Sequence, residues 1–166
     1  MKVQEALLVI DIQNGVCRGA QKAANLAQLI ELVNQRILAY QAEEKLIIYI
    51  QHCDQELIEG SYPWEIIPEI TQVVEGIFLN KTHANSFLGT DLKAILDQAH
   101  VTSLEICGAQ TEYCVDTTIK FAHGLGYQLV VGKGMTTTLT NKYLSASETI
   151  AFYEEIWHQR FAEVYD

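Results

Sequence analysis

A chain of 166 residues is long enough to bury one full sheet with helices on both faces and too short for a second domain of ordinary size, so residues 1–166 are expected to form a single domain. Its 21 Asp and Glu against 11 Lys and Arg leave a formal charge of -10 at pH 7, which argues against nucleic acid and anionic membrane surfaces as partners, because both would repel it. Small molecules or further copies of the chain are the expected partners. The four cysteines, Cys17, Cys53, Cys107 and Cys114, form no CxxC pair and the five histidines are scattered, so neither a zinc knuckle nor a dithiol motif is suggested. Free thiols and the absence of a long apolar stretch predict a soluble, cytoplasmic protein.

The first apolar run, Ala6-Leu-Leu-Val-Ile10, reads as a central strand of a parallel sheet and ends on the carboxylate of Asp11, followed by Gln13, Asn14 and Gly15. Leu26, Leu29, Ile30, Val33, Ile37 and Tyr40 recur at helical spacing, with Glu31, Gln35 and Arg36 mostly elsewhere on the cylinder, which predicts an amphipathic helix lying on the sheet. Residues 46–50 form the second strand. Residues 53–68 read as a long loop holding both prolines together with Tyr62 and Trp64.

Residues 76–80 are a short apolar strand that ends on Lys81, and a helix is predicted from about 90 to 99 on the stripe Leu92, Ile95 and Leu96. Residues 104–107 are another core strand, which breaks at Gly108. A helix opens within a few residues, with Cys114 near its start and Val115, Thr118, Ile119 and Ala122 turned inward. After Gly124 and Gly126 comes a strand at 128–131, then a Thr-rich loop at 136–140, then a final helix from Ser145 to about Phe161. Strands alternating with helices imply right-handed parallel crossovers, hence a three-layer α/β/α architecture with a central, mainly parallel sheet.

Asp11, Lys81 and Cys114 each have an ordinary reading: a turn-capping acid, a surface lysine and a small buried hydrophobe. Together they bring a carboxylate, a cation and a thiol to one edge of one sheet, outside the carboxyl ends of its strands, where α/β proteins bind ligands. That set is what acyl transfer through a thioester requires. A thiol at a helix N-terminus beside a cation is expected to have a lowered pKa and to be reactive at neutral pH.

Ala6-Leu-Leu-Val-Ile-Asp-Ile-Gln13, Tyr49-Ile-Gln-His52, Lys81 with Ser86-Phe-Leu-Gly-Thr-Asp-Leu92, and Gly108-Ala-Gln-Thr-Glu-Tyr-Cys-Val115 continuing to Ala122 occur in one order across nearly the whole chain. In this the chain resembles the isochorismatase-like cysteine hydrolases, a superfamily that includes nicotinamidases and N-carbamoylsarcosine amidases, and with them a Rossmann-like fold. The resemblance implies that Asp11 is the proton shuttle, Lys81 the stabilising cation and Cys114 the nucleophile. It also implies a cis Ala109–Gln110 peptide that aims the backbone N–H groups of Gln110 and Cys114 at one point as an oxyanion hole. Gln13, His52, Tyr62, Trp64, Phe87 and Tyr113 are the candidate substrate contacts. The chain departs from the family pattern at Gly134-Met135, where Asp-Ala is common, and at Val16, where an aromatic is usual. Both departures bear on the pocket and leave the trio intact.

The expected activity is hydrolysis of a small amide, ureido or related acyl compound, with no cofactor. The histidines that complete the nicotinamidase metal site are missing around His52, so no metal is expected. Three other readings compete: vinyl ether hydrolysis of the isochorismatase type, in which the cysteine is dispensable; a catalytically silent binding or regulatory member; and thiol redox chemistry between Cys107 and Cys114. A homo-oligomer, dimer or tetramer, is expected from the family habit and from Tyr143, Tyr153, Trp157 and Phe161, which give the C-terminal region more aromatic surface than one helix face needs.

Overall fold

The computed structural model describes residues 2–166, and the apolar runs form its centre. In chain order the elements are β1 (Ala6–Ile10), α1 (Asn14–Cys17), α2 (Leu26–Ala42), β2 (Leu46–His52), β3 (Ile77–Lys81), α3 (Leu92–Gln98), β4 (Ser103–Ala109), a π-helical turn (Thr111–Val115), α4 (Asp116–Gly124), β5 (Gln128–Gly132), β6 (Thr136–Thr137), α5 (Ala146–Trp157) and β7 (Glu163–Tyr165). They build a seven-stranded sheet in the order β3-β2-β1-β4-β5-β7, with β6 paired to the end of β4. Every pairing is parallel.

Alternation along the strands creates the three layers. In β1, Leu7 and Val9 face the side covered by Leu29, Val33, Ile37 and Tyr40 of α2. Ala6, Leu8 and Ile10 face the other side, covered by Leu92 and Leu96 of α3, Ile119 and Ala122 of α4, and Trp157 of α5. All five residues of β1 are buried, as an uninterrupted apolar strand in the middle of a parallel sheet should be.

Several expectations need correction. The strand predicted to break at Gly108 runs through it to Ala109. Gly108 has φ +129°, and a Cβ there would collide with the carbonyl of Ile10, so only glycine lets β4 approach the end of β1 this closely. The Thr-rich segment expected as a loop opens with a short strand: Thr136 and Thr137 pair with Gly108 and Ala109, and Thr136, Thr137 and Thr138 are all buried. The last helix ends at Trp157 rather than near Phe161, and the chain then forms β7, a strand too short and mixed to be recognised beforehand. The start of α5 matches the sequence, because Ser145 and Glu148 form a reciprocal capping box.

Trp157 does not contribute aromatic surface. It is fully buried and donates its indole N–H to Asp116 Oδ1 at 2.9 Å, which docks α5 onto the first turn of α4. Tyr153 and Phe161 pack partly buried against the same core, leaving Tyr143 as the one of the four that is largely exposed. Among the described residues no helix is long and apolar enough to cross a membrane.

Arg36, placed by its spacing away from the apolar face of α2, reaches a charge buried in the sheet. Its Nε and a terminal nitrogen donate to the two oxygens of Glu105 at 2.7 and 2.6 Å. The hydroxyls of Tyr40 and Tyr165 donate to the same carboxylate at 2.9 and 2.6 Å, so α2, β4 and β7 meet on one fully satisfied acid. Removing one partner from such a cluster strands the other charge. Glu105→Ala is expected to lower stability by about 3 kcal/mol in urea denaturation; a loss below about 1 kcal/mol would show that the cluster adds little net stability.

Candidate active site

Register places the reactive groups. Ile10 of β1 lies opposite Ile50 of β2 on one side and Gly108 of β4 on the other, so Asp11 emerges between the ends of two neighbouring strands. Its own N–H is held by the Ile50 carbonyl at 2.8 Å, and its backbone takes the left-handed conformation, φ +49°, which Asp tolerates better than most residues. The last residue of β3, Lys81, lies directly opposite His52 of β2. Beyond β4 the peptide Ala109–Gln110 is cis, and the π-helical turn that follows carries Cys114 back over the end of β1.

Lys81 joins these groups. Its side chain has no exposed surface, and its Nζ lies 2.7 Å from Asp11 Oδ2, 3.2 Å from Cys114 Sγ and 3.2 Å from His52 Nδ1. Asp11 is 1 % exposed, and its second oxygen, Oδ1, is buried with no hydrogen-bond partner among the described residues. Asp11, His52 and Cys114 each offer a donor atom within 4.8 Å of the others, a set that could hold a metal ion, and the Lys81 ammonium bonds to all three.

Burial sets the protonation states. It raises the Asp11 carboxyl above the ordinary value, with the Lys81 charge the main opposing influence, so Asp11 is a stronger base than a surface carboxylate. The Cys114 thiol is pushed up to about 12 by burial and then by the Asp11 charge, with Lys81 only partly compensating. This runs against the expectation of a lowered thiol pKa: loss of solvent and the Asp11 charge outweigh the Lys81 cation, and the balance favours the neutral thiol. Burial and the Lys81 charge lower the pKa of His52.

The other candidates separate into two groups. Gln13 is fully buried with its amide engaged by backbone: its Nε2 donates to the carbonyls of His52 at 3.0 Å and Trp64 at 2.8 Å, and its Oε1 accepts from the His52 N–H at 2.8 Å. Phe87 is core, packed against Phe121 and Tyr127. Trp64 donates its indole N–H to Cys53 Sγ at 3.2 Å and, with Gln51, Phe78 and Asn80, lines a cleft of about 500 Å³. Gln51 and Asn80 alternate with His52 and Lys81 along their strands, so that cleft opens on the opposite face of the sheet edge. Tyr62 and Tyr113 are exposed, Tyr113 immediately before Cys114. Cys107 is fully buried in β4 with its pKa raised well above the ordinary value, which removes the physical basis for a redox partnership with Cys114.

Asp116 was not singled out by sequence, although an acid two residues after the cysteine and an i,i+4 lysine are visible there. It binds Trp157 and Lys120 and anchors the turn that carries Cys114. Ser86 does the same from the Lys81 side, accepting from the Thr118 hydroxyl at 2.9 Å.

A parallel sheet in this order, with acid, lysine and cysteine brought together beyond its strand ends, defines an α/β protein of the isochorismatase-like fold. An Isochorismatase domain model matches residues 5–165, and the chain belongs to that family. A crystal structure of an isochorismatase family protein superposes with a TM-score of 0.94 at 41% identity, covering 97% of both chains. N-carbamoylsarcosine amidase from Thermoplasma acidophilum shares the fold, with a TM-score of 0.80 at 18% identity over 98% of this chain and 95% of the other. A streptothricin hydrolase of Streptomyces noursei is 28% identical over 133 residues, 76% of this chain but 47% of that longer protein.

With a thiol pKa near 12, the rate of Cys114 alkylation by iodoacetamide should rise about tenfold per pH unit between about pH 7 and pH 9, with no plateau, because the thiolate fraction grows throughout. Mass mapping of the Cys114 peptide measures it. A plateau beginning near neutrality would mean a thiolate already formed in the resting protein.

Proposed function

We propose that the protein is a cysteine-dependent hydrolase of a small amide, ureido or related acyl compound, acting through a thioester on Cys114. The observation that carries this reading is the single ammonium, Lys81 Nζ, within 3.2 Å of Cys114 Sγ and 2.7 Å of Asp11 Oδ2. In the first half-reaction Asp11 accepts the thiol proton as sulfur bonds to the acyl carbon. The carbon–nitrogen bond then breaks and Asp11 passes the proton to the departing nitrogen. In the second, water attacks the thioester, gives a proton to Asp11, and the acid leaves as that proton returns to sulfur. Negative charge on the acyl oxygen would meet the backbone N–H groups of Gln110 and Cys114, the former just past the cis peptide.

Geometry and protonation agree with this division of labour. A neutral thiol beside a base of raised pKa transfers its proton as the bond to carbon forms, and Lys81 supports the negative charge as it passes from Asp11 to sulfur. The names of two similar proteins, a streptothricin hydrolase and an N-carbamoylsarcosine amidase, point to the same broad class of chemistry.

The test is a screen of small amides and ureides for ammonia release, followed by variants. Asp11→Asn, Lys81→Met and Cys114→Ala should each lower turnover by roughly a thousandfold or more, and the double variant Asp11→Asn with Cys114→Ala should be within about threefold of either single change, because the groups act as one unit. Additive losses would contradict the reading. Turnover of a vinyl ether that survives Cys114→Ala would replace it with the isochorismatase-type reaction.

A further inference from the structure

A buried lysine ammonium has three N–H bonds and no lone pair, so each neighbour within hydrogen-bond distance must accept. Around Lys81 Nζ those neighbours are Asp11 Oδ2, Cys114 Sγ and His52 Nδ1, one for each proton. The third acceptor is the informative one. An imidazole nitrogen accepts only when it carries no proton, which puts the His52 proton on Nε2 and leaves the ring neutral. Nε2 lies 3.5 Å from Asp54 Oδ2, the direction in which that N–H should point.

His52 is also held in place from its backbone. It is the register partner of Lys81 in adjacent parallel strands, so the two side chains leave the sheet side by side. The buried Gln13 amide grips both its N–H and its carbonyl, at 2.8 and 3.0 Å. A side chain with only a packing role would not need a clamp on both backbone groups two residues after the catalytic acid. From Lys81 on β3, His83 beyond it, Asp11 beyond β1 and Asp54 on its own loop, the ring feels two cationic influences and two acidic ones, and burial adds to the former.

We infer that His52 is a positioning residue whose Nδ1 lone pair takes the third proton of the Lys81 ammonium and so fixes that cation between Asp11 and Cys114. Without it, one N–H of a fully buried cation would lack a partner, and the ammonium would lose its fixed place beside the sulfur. Gln13 secures the same arrangement one step further back. This extends the reading of Lys81 as the cation that serves Cys114, and it differs from a substrate contact, for which His52 would have to present a nitrogen to the cleft.

Two measurements test it, and neither needs a substrate, so failure to find hydrolysis would leave the result standing. The first is the imidazole nitrogen spectrum of His52 in the native protein, by long-range proton–nitrogen correlation at neutral pH. The inference requires Nε2 protonated and Nδ1 bare; a proton on Nδ1, or on both nitrogens, overturns it. The second is the alkylation rate of Cys114 at one pH in His52→Leu and His52→Asn. Leu removes the acceptor, and labelling should slow about tenfold, equivalent to the thiol pKa rising by about one unit. Asn can place its carbonyl oxygen where Nδ1 stood and should label within about threefold of native. Cys17 and Cys107, both buried, should stay unlabelled and so report an intact fold in the same experiment. Native labelling in an intact His52→Leu, or His52→Asn as slow as His52→Leu, overturns the inference. If His52→Leu exposes the buried thiols, the native tautomer and the Asn variant decide.

Discussion

The Lys81 ammonium is buried, and that one constraint shapes everything at the carboxyl end of the sheet. A charge removed from water costs several kcal/mol unless every proton finds an acceptor and an opposite charge stands close by. Here the opposite charge comes from the end of β1, the neutral acceptor from the end of β2, and the sulfur from the turn after β4. The strands must therefore end level with one another. Gly108 permits the close approach of β4 to β1, and Gln13 holds the end of β2. Asp116 and Ser86 tie the turn that bears Cys114 to α5 and to the segment after Lys81.

The same burial explains why the thiol rests protonated. At a solvent-exposed helix end the macrodipole and a neighbouring lysine would favour thiolate, but here solvent is largely lost and the lysine is shared with a carboxylate that opposes it. A neutral thiol is a weak nucleophile toward adventitious electrophiles and oxidants. On the proposed function it becomes a strong one as its proton moves to Asp11, whose own basicity is raised by the same lack of solvent.

Much of this was legible in the sequence for identifiable reasons. The continuous apolar run ending abruptly on Asp11 marks a buried parallel strand, the shorter run before Lys81 marks the half-exposed edge strand β3, and helical spacing from Leu26 to Tyr40 marks α2. The cis peptide followed from resemblance and is present in the structure, and Asp11, Lys81 and Cys114, read from the ends of their elements, lie together there. What escaped depends on contacts between distant residues. Gln13 looks like a polar site residue until its amide is seen to be spent on β2, and Phe87 looks like a pocket wall until Phe121 and Tyr127 cover it. Arg36 seems to belong to a solvated helix face because nothing local shows that Glu105 lies beneath it. β6 and β7 are too short for any periodicity, and exist because Gly108–Ala109 and β5 offer them edges. The raised pKa of Cys114 comes first from burial, which the position of the cysteine in its motif does not show.

On the proposed function, this buried cluster delivers the Cys114 sulfur to an acyl carbon. Rapid quenching of the protein during turnover of an amide or ureide, followed by mass mapping, tests that most directly. That chemistry predicts a transient adduct of the substrate's acyl mass on the peptide bearing Cys114, appearing before the acid product and absent in Asp11→Asn. Product formation at the native rate with no acyl adduct on Cys114 at any time would contradict it.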